Sequence, residues 1–145
     1  MKVQKEIDDY IVKLEKYIDT ANETGDEYAF IDPAYDIMDS IEMLEMPFEA
    51  VEPIFLLIER SPNIDFGGPG PLGSFLEGFY RNGYEEALLK SLQRDPTEYT
   101  VYLLSRLCND KNNKDRPKYI QLIKTYENND CLSDDWKEIV KNISE

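Results

Sequence analysis

Apolar residues recur at spacings of three and four along nearly the whole chain. A proline, glycine or asparagine cuts the pattern after every stretch of about 10–15 residues. No segment alternates apolar and polar residues, so no strand is expected. The pattern predicts an all-α fold: antiparallel helix pairs joined by short turns, in an irregular HEAT-like bundle or solenoid of about seven to eight helices. There is no sequence repeat of fixed period, so the stacking is an architectural expectation only. At 145 residues the chain is read as a single helical domain, 1–145.

The organising stretch runs from Ile64 to Asn109. It opens on the turn cluster Gly67-Gly68-Pro69-Gly70-Pro71, with Pro71 suited to the first turn of a helix. Leu72, Phe75, Leu76 and Phe79 follow at helical spacing, ended by Asn82-Gly83. Tyr84, Leu88, Leu89 and Leu92 make a second stripe, stopped by Asp95-Pro96. Thr97 is the expected N-cap of a third, carried by Val101, Leu103, Leu104 and Leu107.

Helices are expected on both sides of this block. The first covers 3–22, ended by Thr24-Gly25-Asp26. The second, centred on 34–45, is expected to start at Asp32-Pro33 and to stop at Pro47. In the third, 48–60, Pro53 predicts either a kink or a start near Glu52. A polar loop from Asp110 to Asp115 precedes a helix over 116–127. Ser133 caps a last helix with Trp136, Ile139, Val140 and Ile143 on its buried side.

The runs FGGPGPLGSFLE, YEEALLKSL, RDPT and TVYLLSRLCN resemble the central block of all-helical immunity proteins from bacterial polymorphic-toxin and contact-dependent growth-inhibition systems. The resemblance covers about a third of the chain, Phe66 to Asn109. It implies a helical protein that binds and neutralises one cognate toxin domain, without catalysis. Many such toxins are nucleases, so it also implies a partner with a basic, phosphate-holding active site.

Composition narrows the chemistry. The net charge is −14 and there is no histidine. The charge argues against direct binding to nucleic acid or to an anionic membrane and favours a basic partner. Without histidine, a Ser-His-Asp or Cys-His site cannot form. No apolar run is long enough to span a membrane and no signal-peptide core follows Met1-Lys2, so a cytoplasmic location is expected. Cys108 and Cys131 make no disulfide framework. Asn22-Glu23-Thr24 and Asn142-Ile143-Ser144 match a glycosylation pattern that has no meaning without secretion. GGPGPLG lacks the Lys-Ser/Thr ending of a P-loop, and its prolines delete N–H donors, so it reads as a structural turn. Residues 19–30 fail the calcium-loop pattern, with Gly25 one place late and the closing Glu missing. No cofactor or metal is expected.

The distribution of charge stands above this background. Between Lys16 and Arg60 there are 12 acids and no Lys or Arg, whereas 61–145 holds 14 acids against 11 bases. Asp32, Asp36 and Asp39 repeat at helical spacing, and like charges placed so repel. Glu42, Glu45, Glu49 and Glu52 would continue the row if Pro47 leaves two helices adjacent. With Tyr28, Phe30 and Tyr35 interleaved, the segment reads as a face kept for a basic partner. The expected partner-binding residues are therefore Asp32, Tyr35, Asp36, Asp39, Glu42, Glu45, Glu49 and Glu52. The rival reading is a helical scaffold or adaptor that holds a basic protein or peptide in a concave apolar channel. An enzyme would need a cleft with perturbed carboxylates or tyrosines.

Overall fold

Local stop and start signals place most of the helices. The computed structural model describes residues 2–143. Met1 and residues 144–145, which bear on the readings of the amino terminus and of Asn142-Ile143-Ser144, lie outside the described residues. In chain order the helices are α1 (Lys2–Thr24), α2 (Tyr28–Glu42), α3 (Val51–Glu59), α4 (Gly70–Glu77), α5 (Tyr84–Arg94), α6 (Glu98–Leu107), α7 (Arg116–Lys124) and α8 (Asp134–Lys141). A 3-10 turn, Pro47–Ala50, leads into α3. The protein is thus an all-α bundle of eight helices among the described residues.

Thr97 caps α6 as expected: its hydroxyl accepts from the Thr100 N–H at 3.1 Å, and the Thr100 hydroxyl accepts from the Thr97 N–H at 2.9 Å. Ser133 caps α8 by accepting from the Trp136 N–H. Pro71, Pro53 and Pro117 all fall in first turns, where a missing N–H removes no helical bond. The Pro53 alternatives resolve in favour of a helix start, at Val51.

Four local expectations need correction. Helix α2 starts at Tyr28, so Pro33 lies inside it and Asp32 is no cap. The turn before Pro33 is held instead by the carbonyls of Asp26 and Glu27 and by the Asp26 carboxylate, which accepts from the Tyr28 N–H at 3.0 Å. That early start buries Phe30 and Ile31, and this outweighs the single bond lost at Pro33. The same burial removes Phe30 from the exposed aromatics expected among the acids. Helix α2 ends at Glu42, before Pro47, which opens the 3-10 turn. Ile139, expected on the buried side of α8, is exposed.

Helix α1 packs on α2 and α3, α2 on α4, α3 on α5, α5 on α6, α6 on α7 and α7 on α8. The contacts between helices two apart in sequence, α1 with α3, α2 with α4 and α3 with α5, are those of stacked helix pairs. Buried side chains from all eight helices join in one contiguous core. Two features lock the Gly/Pro turn onto it. Phe66 is fully buried, edge-on to Phe30 at 5.5 Å and against Tyr99 at 5.0 Å. The Tyr99 hydroxyl donates to the Pro69 carbonyl, and a Cβ at Gly73 would lie 2.6 Å from that hydroxyl. Gly73 is therefore the condition for α4 and α6 to approach this closely.

Candidate partner-binding surface

Helix α2 buries Phe30, Ile31, Ala34, Ile37, Met38 and Ile41, and this inner stripe dictates what points outward. Asp32, Tyr35, Asp36, Asp39 and Glu42 are all exposed. At 1.5 Å per residue they run for about 15 Å along the helix. Tyr28, 58% exposed, begins the same face, and Met43 and Met46, 85% and 54% exposed, follow its end. The two methionines were not singled out in the sequence. Met43 was nevertheless legible, because the inward stripe steps from Ile41 to Leu44 and leaves it outside. Exposed aromatic residues and Met are enriched at protein interfaces, whereas Asp and Glu are depleted there.

Helix geometry gives these acids no local reward. Asp39 and Glu42 lie in the last turn of α2, the negative end of the helix dipole, and no basic residue accompanies them there. Asp32, Asp36 and Asp39 stack at spacings of four and three without a cation between them.

The expected row does not continue unbroken into α3. Helix α3 packs against α1 and α5, whereas α2 packs against α1 and α4, so Pro47 separates the helices instead of aligning them. Glu45 sits on the connecting bend. Glu49 and Glu52 remain exposed, but each lies in the first turn of its helix, where a carboxylate is stabilised. They line a groove of about 570 Å³ shared with Lys90 and Arg94 of α5. Arg94 binds Glu52 at 3.1 Å and the largely buried Glu59 at 2.7 Å, and Ser91 donates to Glu59 at 2.6 Å. This cluster ties α3 to α5. Among the described residues the other ten acids between Lys16 and Arg60 form no ion pair, and Arg60 itself turns to Glu15. The structure therefore concentrates the unpartnered part of the row on α2: Asp32, Asp36, Asp39 and Glu42, with Tyr28, Tyr35, Met43 and Met46 beside them.

Several buried tyrosines and both cysteines are shifted towards their neutral forms. Burial pushes the phenols of Tyr84 and Tyr99 well above the usual range and that of Tyr119 to about 12. Burial likewise raises the thiols of Cys108 and Cys131, so neither is an activated nucleophile. Glu27 retains its proton to higher pH than an ordinary glutamate, because it hydrogen-bonds Asp65 and is repelled by its charge. Among the described residues no group of three or more acids and cysteines is placed to hold a metal ion, and no helix is long and apolar enough to cross a membrane. The surface carries grooves of mixed polarity, one of them rich in aromatic residues at the Gly/Pro turn. No family model, curated protein or solved structure matches this chain.

Proposed function

We propose that this protein is a non-catalytic inhibitor of the immunity type, which neutralises a basic toxin domain by occluding its active site or substrate surface. The observation that carries the reading is the outer face of α2. Among the described residues its carboxylates have no cationic partner, two of them oppose the helix dipole, and exposed tyrosines and methionines flank them. Such a face costs stability in the free protein and is relieved when a cationic surface docks on it. If the toxin is a nuclease, the row stands in for the phosphates that the active site is built to hold. The resemblance of the Phe66–Asn109 block to immunity proteins supports the same reading.

The test is co-purification with, and binding to, the product of the neighbouring gene, which this reading expects to be a toxin. Reversing Asp36 and Asp39 to lysine should weaken binding by about 10–100-fold, mostly through slower association, and reduce its dependence on salt. Unchanged affinity together with unchanged salt dependence removes this face from the mechanism.

A further inference from the structure

The Gly/Pro turn and helix α6 enclose a groove of about 600 Å³, within the range of ligand clefts. Its aromatic walls are Phe66, Tyr99, Tyr102 and Trp136, its carboxylates are Asp65 and Glu98, and among the described residues no Lys or Arg lines it. Tyr102 lies 6.1 Å from Tyr99 and meets Trp136 edge-on at 5.7 Å, while Arg106 covers Tyr102 from one side at 5.9 Å. Phe66 and Tyr99 are committed to holding the turn in place. Trp136 is only half buried.

Both carboxylates accept a backbone N–H through one oxygen, and the Asp65 carboxyl is also hydrogen-bonded to that of Glu27. Asp65 accepts from the Gly67 N–H at 2.8 Å through Oδ1. Glu98 accepts from the Ser133 N–H at 2.8 Å through Oε1. At Gly68 the missing side chain lets the Tyr102 hydroxyl close on the turn, since a Cβ there would lie 3.3 Å from it. Asn63, Ile64 and Asp65 also border a second depression that contains Glu27 and Tyr28. The groove therefore opens towards the start of the α2 acidic face, and at the junction Glu27 hydrogen-bonds Asp65 while the two charges repel.

We propose that this groove takes an extended polypeptide segment of the partner that carries arginine or lysine, with the cationic group on the rings of Trp136 and Tyr102 between Asp65 and Glu98. The aromatic faces attract a cation, and the two fixed carboxylates neutralise it without prior ordering. A helix, about 10–12 Å across, suits so small a cleft less well than an extended chain. The acidic rim rejects nucleic acid. The proposal rests on the reading of the partner as a basic protein, and assigns it a second point of attachment beyond α2.

Trp136 is the only tryptophan, so its fluorescence reports on the groove directly. The full chain is titrated with the peptide acetyl-Gly-Arg-Gly-Arg-Gly-amide and, in parallel, with its glutamate counterpart. The arginine peptide should give a saturable change in Trp136 emission that weakens with added salt, and the glutamate peptide none. Asp65→Asn and Glu98→Gln each keep an oxygen to accept the same backbone N–H, so the turn and the α8 cap survive. Each should weaken the arginine peptide by about fivefold, whereas Asp36→Lys, on α2, should not. An equal response to both peptides, no saturable response, or full affinity in the folded Asp65→Asn/Glu98→Gln double variant overturns the proposal. Peptide binding without toxin binding keeps the groove and refutes the immunity reading. Toxin binding that is sensitive to α2 but indifferent to the double variant does the reverse.

Discussion

Replacing Asp36 by lysine should make the free protein more stable while weakening its attachment to a basic partner. Asp36 is exposed and has an acid at each helical neighbour position that matters, Asp32 four residues before it and Asp39 three residues after. Each like-charge pair costs about 0.2–0.5 kcal/mol, and each opposite pair returns a similar amount. The substitution removes two repulsive pairs and creates two attractive ones, a swing of about 1–2 kcal/mol at low ionic strength. The better helix propensity of lysine adds a few tenths. With a urea slope of about 2 kcal/mol per molar, the unfolding midpoint should rise by roughly 0.5–1 M. Asp36→Asn, which removes the repulsion but adds no attraction, should give about half the electrostatic part. Near 1 M salt the screening length falls to about 3 Å, and most of the gain should vanish. A midpoint that falls, or one that rises equally at low and high salt, refutes the claim that self-repulsion is stored on α2.

Three further measurements probe the frame that holds this face. Thr97→Ala removes the hydroxyl that accepts from the Thr100 N–H, while the backbone N–H at position 97 can still donate to the Thr100 hydroxyl; it should cost about 1–2 kcal/mol by urea unfolding, and Thr97→Ser should be nearly neutral. Two tyrosine hydroxyls make opposite predictions. That of Tyr84 is buried without a partner among the described residues, so Tyr84→Phe should be neutral or stabilise by up to about 1–2 kcal/mol. That of Tyr80 donates to Asp110 and accepts from Asn113, each at 2.7 Å, so Tyr80→Phe should lower stability. The third concerns acid. The Tyr80 hydroxyl, the Asn112 N–H and Arg81 hold the Asp110 carboxyl below its ordinary value of 3.8. A depressed carboxyl stabilises the fold above its unfolded value and loses that contribution as pH falls through its folded value, so Tyr80→Phe should flatten the stability loss below about pH 4. Glu27 has the opposite sign. Its raised value means that the folded state gains a proton first, so Glu27→Gln should stabilise at neutral pH and give no advantage in acid.

The helices themselves were legible because their signals are local. Thr97 and Ser133 cap the turns that directly follow them, and Pro53, Pro71 and Pro117 can sit in helices only near a start. Periodic apolar spacing needs nothing beyond the chain's own 3.6-residue geometry. The Lys- and Arg-free segment from 17 to 59 and its uncompensated Asp32, Asp36 and Asp39 could likewise be read directly, since residues three and four apart meet on any helix.

Tertiary packing decided the rest. The start of α2 moved to Tyr28 because Phe30 and Ile31 are buried there, Phe30 against a distant partner, Phe66, which no local rule contains. The acidic row divided because α3 turned to α5, and Arg94, 42 residues along the chain from Glu52 and 35 from Glu59, came to neutralise its end. The aromatic groove joins residues 62–68 to Tyr102 and Trp136, which meet only once the later helices have packed. Periodicity and charge composition follow from neighbours in sequence and so belong to the chain alone. Which carboxylates stay unpaired, and which aromatic faces stay open, depends on what packing brings from far along the chain, and only the folded structure determines that.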